Sequence, residues 1–385
     1  MTTDTSEKGL EGLIVRSMTG RIDLLSPPYV ANETSTPVAG GTGWILGDPK
    51  HYDRGACVDL VQLRGFVMAT QPELVDKLSL ETDTPTRRQF LARLEKEVGK
   101  RGVIDVLRKG VDHGPLHIDL FYGTPSAGND KAAERFACNR FSVTRQLAYS
   151  RDETRRALDL GLFINGLPIA TFELKNSLTK QTVEDAVEQY RRDRDPREPL
   201  FSFGRCVVHF AVDDSEVRFC TELRGKGSWF LPFNKGYNDG AGNPPNPNGL
   251  KTSYLWEEVL TPRGLTDILE NYAQVVEETD RRSGKKKQKQ VFPRFHQLDV
   301  VRKVLADTRK VGAGRRYLVQ HSAGSGKSNS IAWLTHQLVA VKQPDGKDTF
   351  DSIIVVTDRR ILDRQLQQTI RQFEQTLGVV ENIDT

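Results

Sequence analysis

Hydrophobic and polar residues follow short periods along this chain, and the pattern is clearest between residues 158 and 175. Two mostly apolar arms, Leu158 to Ile164 and Ile169 to Lys175, flank the dipeptide Asn165-Gly166. Asn-Gly favours a tight β-hairpin because both residues tolerate positive φ. The pattern therefore predicts a hairpin, and strand alternation places Glu173 and Lys175 on one face.

The register of this hairpin decides which side chains meet. A loop of two, three or four residues would pair Asp159 with Phe172, Glu173 or Leu174, respectively. In every register Asp159 lies beside Glu173, with Lys175 close by. Carboxylate oxygens suit Mg²⁺, which lowers the pKa of a bound water, and a lysine can orient that water or stabilise developing charge. The same three residues also fit a solvated strand face.

Other segments alternate with periods that predict helices or strands. Helical spacing occurs at residues 10–20, 70–108 (divided by Pro85), 182–194, 254–260 and 265–276. Strand patterns occur at residues 116–122, 141–147, 206–212 and 217–223. Residues 26–56 and 224–252 are rich in turn formers and predict long loops.

The C-terminal quarter carries a second chemical motif. Tyr317 to Gln320 predicts a short strand, His321 to Ser328 is a Gly-rich turn that ends in Gly-Lys-Ser, and a helix follows from Ser330 to Val341. This order is the context of a phosphate-binding P-loop, although His321 replaces its first glycine. The apolar run Ile353 to Val356 predicts a strand buried in a parallel sheet.

Composition limits the classes of function. The 385 residues allow two or three domains, and 37% hydrophobic with 28% charged residues is typical of globular proteins. The net charge of +4 indicates that any contact with DNA depends on local patches, such as the basic run at 281–289. Four cysteines without C-x-x-C spacing argue against zinc and disulfides and favour a cytoplasmic location. We expect neither a signal peptide nor a membrane span.

In their order along the chain, these motifs resemble the N-terminal portion of the restriction (R) subunit of type I restriction–modification enzymes. Asp159, Glu173 and Lys175 match the PD-(D/E)xK nuclease motif of that family. Segments that look like further family blocks are residues 193–199, 208–214 and 240–245. In the C-terminal part, the adenine-reading Q motif resembles residues 294–297, helicase motif I matches 321–328, and motif Ia resembles 357–365.

The resemblance implies an α/β protein with a restriction-endonuclease-like PD-(D/E)xK domain followed by an incomplete RecA-like P-loop lobe. The expected domains are a nuclease at 1–260, a linker with the basic run at 261–290, and the first lobe of a superfamily 2 helicase-like motor at 291–385. The implied cofactors are Mg²⁺ and ATP. Asp159, Glu173 and Ser328 would bind metal, and the expected ATP-binding residues are Gln297, Gly324, Ser325, Gly326, Lys327 and Ser328.

The resemblance also suggests secondary site residues. Possible support for the nuclease centre comes from Glu11, Gln189 and Tyr190, although the family's Gln-x-x-x-Tyr spacing is altered because Asp193 stands where its tyrosine would be. Candidate contacts with DNA are Arg145, Thr357, Arg359 and Arg360. Glu11 as an exposed glutamate, Tyr190 as a core residue and Arg145 as a solvated strand residue are the alternatives.

The function implied is ATP-dependent translocation and Mg²⁺-dependent cleavage of unmodified double-stranded DNA, with methylation and specificity subunits as partners. The sequence contains neither an Asp-Glu-x-His box nor an arginine finger after the P-loop, so we expect the isolated chain to lack ATP turnover. Two alternatives remain open. The chain could be a non-catalytic fragment that binds partner subunits or DNA, or a P-loop motor with a degenerate nuclease domain.

Overall fold

The computed structural model describes residues 7–21, 37–126, 128–152, 156–279, 284–343, 345–358 and 360–373. The chain divides into two compact units, and the division falls between Val275 and Val276. Helices and a large mixed sheet together confirm the predicted α/β class in its general form. No helix within the described ranges is long and apolar enough to cross a membrane.

A seven-stranded mixed sheet organises the first unit in the residues that the structure describes. Its strands lie in the order β1-β6-β7-β8-β9-β10-β11. The pairs β1/β6 and β8/β9 are parallel, whereas the other neighbours are antiparallel. The strands of the unit are β1 (Ile45–Leu46), β2 (Tyr52–Asp53), β3 (Val58–Asp59), β4 (Val111–His113), β5 (Leu116–Ile118), β6 (Phe141–Ala148), β7 (Ala157–Ile164), β8 (Leu167–Leu174), β9 (Val208–Val212), β10 (Val217–Cys220) and β11 (Leu231–Pro232).

Helices cover this sheet and connect its strands. They are α1 (Glu7–Thr19), α2 (Leu60–Thr70), α3 (Glu73–Lys77), α4 (Pro85–Arg101), α5 (Val103–Lys109), α6 (Asp130–Ala137), α7 (Val183–Arg192) and α8 (Pro262–Asn271). The predicted helix at 254–260 is a π-helix, Leu255–Val259. Parallel strands need a crossover connection, and α7 provides it between β8 and β9. The apolar side of α7 is buried, so this helix lies over one face of the central strands.

The predicted hairpin is confirmed, and a bulge sets its register. Asn165 and Gly166 form a two-residue turn with φ values of 51° and 84°, which pairs Ile164 with Leu167. Beyond the turn the pairing shifts by one residue, so that Leu160 pairs with Phe172. The extra residue lies on β8 between the two registers. As a result, Asp159 is level with Glu173. Without a bulge, only a three-residue loop would produce this register.

The second unit contains helices and a two-stranded ribbon. Its elements are β12 (Gln274–Thr279), whose first two residues belong to the first unit, β13 (Lys286–Val291), α9 (Phe295–Val311), α10 (Lys327–Val339) and α11 (Arg360–Gln372). Part of the stretch predicted as a linker, 261–290, is therefore regular structure, while residues 281–283 of the basic run lie outside the described residues. Helix α10 packs against both α9 and α11.

Two strands predicted for the second unit do not form in the structure. Residues 317–320 and 353–356 have no strand hydrogen-bonding partner among the described residues. Leu318, Ile354 and Val356 are 93%, 72% and 84% exposed, although runs of this kind are typical of a buried sheet. A strand requires a neighbour that completes its hydrogen bonds, so periodicity by itself was insufficient here.

Candidate active site

The three residues of the predicted nuclease motif come together at the centre of the sheet. Glu173 is fully buried on β8, and Lys175 is 8% exposed just beyond the end of that strand. Asp159 lies level with Glu173 on β7, and its carboxylate accepts a hydrogen bond from the Leu174 amide at 2.7 Å. The Lys175 amide donates to the Val212 carbonyl at 2.9 Å, which ties the end of β8 to β9.

A buried arginine that no sequence motif predicts holds Glu173. Arg194 follows α7 and is 6% exposed. Its Nε donates to Glu173 Oε1 at 2.5 Å, and its other nitrogens donate to the Tyr149 hydroxyl at 3.2 Å and the Ala157 carbonyl at 3.0 Å. The guanidinium also lies 5.4 Å from the centre of the Tyr149 ring. Arg194 therefore fixes one oxygen of Glu173 and leaves the other available.

Burial dominates the electrostatics of Glu173. It raises the pKa of this carboxyl to about 8, the Arg194 guanidinium opposes the rise, and the nearby Asp159 carboxylate adds to it. The second oxygen, Oε2, is buried and has no hydrogen-bond partner within the described structure. A buried acceptor without a partner is costly, and it marks a position where a cation or a donor from a ligand would fit.

The donor set at this position suits a hard divalent cation. Two carboxylates can supply oxygen ligands, and Mg²⁺ usually keeps several waters and is bound by only one or two carboxylates plus substrate phosphates. No group of three or more His, Cys, Asp or Glu residues with metal-binding geometry occurs in the portion of the chain that the structure describes. The residues present therefore fit a site completed by water and phosphate rather than a protein cage.

A neutral hydrogen-bond network lies along the same strand. Thr171, two residues before Glu173, bonds through Oγ1 to the Tyr190 hydroxyl at 2.8 Å and to His209 Nδ1 at 2.7 Å. Burial lowers the pKa of His209 to about 3 and raises that of Tyr190, so both rings are uncharged at neutral pH. Tyr190 is buried and joined to β8 through Thr171, which the alternative of a core tyrosine also predicts, so its supporting role stays a prediction. Gln189, on the same helix, is half-buried.

Glu11, proposed as a supporting residue, forms an ion pair with Arg145, which was proposed as a contact with DNA. Glu11 on α1 is 2% exposed, so it is not the exposed glutamate of the alternative. Its carboxylate accepts hydrogen bonds from Arg145 Nε and, at 2.6 Å, from Gln146 Nε2. Gln146 lies between the paired residues Arg145 and Leu147 on β6, level with Asp159, and has an unusual φ of 47°. In this structure Arg145 binds Glu11, so a contact with DNA would have to compete with that pair.

The second unit brings most of the predicted nucleotide-binding residues together at the start of α10. Lys327 is the first residue of that helix, and its Nζ donates to the His321 and Ser322 carbonyls at 3.0 and 3.1 Å. Gly326 adopts a φ of 83°, and Gly324 one of 74°. Ser325 is buried and Ser328 is half-buried. The lysine therefore caps carbonyls of its own loop, where it could exchange them for phosphate oxygens.

Gln297 is engaged by the loop rather than open to solvent. It is 3% exposed, its Nε2 donates to the Gly326 carbonyl at 2.8 Å, and its Oε1 accepts from the Arg294 amide at 2.9 Å. A Cβ atom at Gly326 would lie 2.4 Å from Gln297 Nε2, so the close approach depends on glycine. Of the proposed motif Ia contacts, Thr357 is half-buried, Arg359 lies outside the described residues, and Arg360 begins α11.

Two regions of the chain match the models of known protein families. Residues 71–228 match the family model described as the N terminus of the type I restriction enzyme R protein. The resemblance to the N-terminal portion of an R subunit is confirmed. The matched region contains the hairpin, Arg194 and β9. Residues 296–384 match the model described as SWI2/SNF2 ATPase, which covers α9, the Gly-rich loop and α10.

Curated relatives carry the same assignment. The chain is 28% identical over 261 residues to the type I restriction enzyme HindI endonuclease subunit of Haemophilus influenzae, covering 65% of this chain and 24% of that protein. It is 26% identical over 247 residues to the putative MjaIXP endonuclease subunit of Methanocaldococcus jannaschii, covering 60% of this chain and 22% of that protein. The chain therefore spans about a quarter of the length of these endonuclease subunits.

Proposed function

We propose that the first unit is a Mg²⁺-dependent endonuclease of the PD-(D/E)xK fold and that Asp159, Glu173 and Lys175 form its centre. The main observation in favour is that a bulged hairpin brings Asp159 level with a buried Glu173 whose Oε2 has no partner. In the R-subunit context, the substrate is unmodified double-stranded DNA. The methylation and specificity subunits are then the protein partners.

In this proposal each residue has a distinct task. Asp159 and Glu173 hold the cation, which when bound supplies an activated water and offsets charge on the phosphate. Arg194 keeps Glu173 in one orientation, so that Oε2 points to a constant position. Lys175 orients the attacking water or stabilises the negative charge that develops on the phosphodiester. Thr171, Tyr190 and His209 keep the underlying face rigid and uncharged.

Direct binding of Mn²⁺, followed by electron paramagnetic resonance, tests the centre without requiring turnover. We expect wild-type chain to bind the ion and the variants Asp159→Asn and Glu173→Gln to lose at least tenfold in affinity. Glu184→Gln, which removes an exposed carboxylate on α7, is the matched control and should bind normally. Equal binding by all four proteins would disprove the assignment.

Cleavage of supercoiled DNA in Mg²⁺ provides the second measurement. Nicking by the wild-type chain that both substitutions abolish and Glu184→Gln retains would establish an autonomous nuclease. The non-catalytic alternative predicts metal binding without nicking, and the degenerate-nuclease alternative predicts neither.

We further propose that the second unit is the start of a RecA-like, ATP-dependent translocation motor. The support is the Gly-rich loop at the N-terminus of α10 together with the SWI2/SNF2 match. Gly324 to Ser328 would cradle the phosphates, with Lys327 on the β- and γ-phosphates and Ser328 on the ion. Equilibrium binding of a fluorescent ATP analogue to wild type and Lys327→Ala tests this. Equal affinity in the two proteins would exclude it.

A further inference from the structure

The first unit contains a second basic recess, apart from the three residues assigned to the nuclease. Its walls are the C-terminal half of α4, the residue that follows Ser150, and the segment at 197–205. Four cationic side chains line it together with one carboxylate, Glu95: Lys96, Arg151, Arg197 and Arg205. The carboxylate is already engaged, because Arg151 donates to it at 3.0 Å.

Arg205 is the feature that the fold alone does not explain. The residue is 5% exposed and lines the recess. Its one side-chain hydrogen bond among the described residues is a long contact of 3.5 Å from Nη1 to the Ala56 carbonyl, and no described carboxylate pairs with it. A buried guanidinium is normally paired, because removing an ion from water without compensation is costly. An anion in the recess would supply the missing partner.

The surrounding groups indicate which anion would fit. Lys96 is exposed on α4, and Arg197, with a side chain 89% exposed, stands at the rim in a surface pair with Asp195. Ser202 adds a hydroxyl to the lining. Guanidinium groups bind tetrahedral oxyanions through paired donors, and a lysine contributes a point charge. Several cationic donors around an open recess suit a phosphate group better than a planar carboxylate.

The recess is also connected to the candidate active site through the chain. Arg194, which holds Glu173, is three residues before Arg197, and Tyr149, which contacts Arg194, is two residues before Arg151. Ser150 donates to the Glu198 carboxylate at 2.6 Å and ties the two segments together. We propose that this recess is a phosphate-binding site in which Arg205 is the buried anchor. Its ligand is a backbone phosphate of DNA or a free phosphate-bearing anion.

Gly99 allows a test that leaves every native contact in place. It lines the recess on α4, and a Cβ atom there would meet nothing within 4 Å. Gly99→Asp adds a negative charge to the lining of the recess, and Gly99→Asn is the neutral control of the same shape. Both variants should fold, since the space is open and the helical φ suits other residues.

Two ligands distinguish the sources of the phosphate. Binding of inorganic phosphate is measured by calorimetry, and binding of labelled duplex DNA by anisotropy. EDTA is present throughout, so the result does not depend on the metal centre. We expect Gly99→Asp to weaken phosphate binding at least tenfold relative to Gly99→Asn. If DNA is the ligand, Gly99→Asp also lowers the slope of log affinity against log salt by about one unit.

Each outcome decides the proposal. Weaker binding of phosphate and DNA identifies a backbone-phosphate site, and weaker binding of phosphate alone identifies a site for a free anion. Equal behaviour of Gly99→Asp and Gly99→Asn with both ligands would overturn the inference. Arg205→Gln, checked for folding by circular dichroism, should reproduce the loss seen with Gly99→Asp.

Discussion

Replacing Arg194 by methionine tests the central contact of the candidate active site. The substitution removes the guanidinium but keeps a flexible apolar stem. It leaves Glu173, which is fully buried, without the partner that binds its Oε1 at 2.5 Å. Oε2 of Glu173 already lacks a hydrogen-bond partner. In the variant, Oε1 would also lose the donor that Arg194 supplies.

The magnitude depends on the protonation of Glu173. Arg194 lowers the pKa of Glu173, so in the variant this pKa rises above the wild-type value of about 8. Below pH 8 the carboxyl keeps its proton in both proteins, and the variant loses only the hydrogen bonds that Arg194 makes, about 1–3 kcal/mol. Above pH 8 the wild-type carboxyl ionises beside Arg194 whereas the variant carboxyl stays protonated, so the destabilisation increases by about 1.4 kcal/mol per pH unit. Between pH 6 and pH 9 the destabilisation should therefore increase by about 1 kcal/mol.

Urea unfolding followed by tryptophan fluorescence measures this difference, since Trp44, Trp229 and Trp256 lie in the first unit. Arg191→Met is the matched control. Arg191 lies in the last turn of α7, and its surface pair with Glu188 should contribute at most about 1 kcal/mol at either pH. This prediction is contradicted if Arg194→Met lowers the free energy of unfolding no more than Arg191→Met does, or by the same amount at both pH values.

Three further predictions concern other parts of the molecule. Burial lowers the pKa of His209 to about 3, so the unfolded chain takes up a proton below about pH 6.5 that the native chain refuses. As the pH falls from 6.5 to 3, the free energy of unfolding of His209→Gln should therefore rise relative to that of wild type by about 1.4 kcal/mol per pH unit. Urea midpoints measure this difference. Gly166→Ala should destabilise by more than about 2 kcal/mol, because φ is 84° and its Cβ would lie 2.4 Å from the Asp59 carbonyl, whereas Gly114→Ala, in open space, should cost about 1 kcal/mol. Gln297→Ala should weaken binding of a fluorescent ATP analogue about tenfold by releasing the loop, and unchanged affinity would contradict this.

The hairpin shows how far sequence reasoning extends. Asn165-Gly166 and the flanking arms predict the turn and both strands, because these depend on local φ preferences and alternation. The register was left open among three possibilities. It is decided by a bulge within β8, and a bulge depends on how both strands pack against the rest of the sheet, which no local pattern records.

Arg194 and Glu11 show the corresponding limit for the site. Arg194 stands among several charged residues after α7, and nothing in that pattern distinguishes it from exposed neighbours such as Arg192. Its burial results from the path that the chain takes back towards Tyr149. Glu11 was treated as equally consistent with exposure, yet it is buried in a pair with Arg145. Long-range partners of charged residues are thus the part that periodicity does not predict.

The buried carboxyl of Glu173 also lowers the stability of the first unit as the pH rises. Burial raises the pKa of this carboxyl from an ordinary value near 4.5 to about 8. The native chain therefore retains a proton that the unfolded chain releases, and stability falls as pH rises across this window, by up to about 5 kcal/mol. Glu173→Gln combined with Arg194→Met removes both ions and should restore much of that loss above pH 8, because apolar or neutral replacement of a buried pair is often neutral or stabilising. If the double variant is at least as stable as wild type at pH 9 and still fails to bind Mn²⁺, the buried carboxylate is explained by its chemistry rather than by folding.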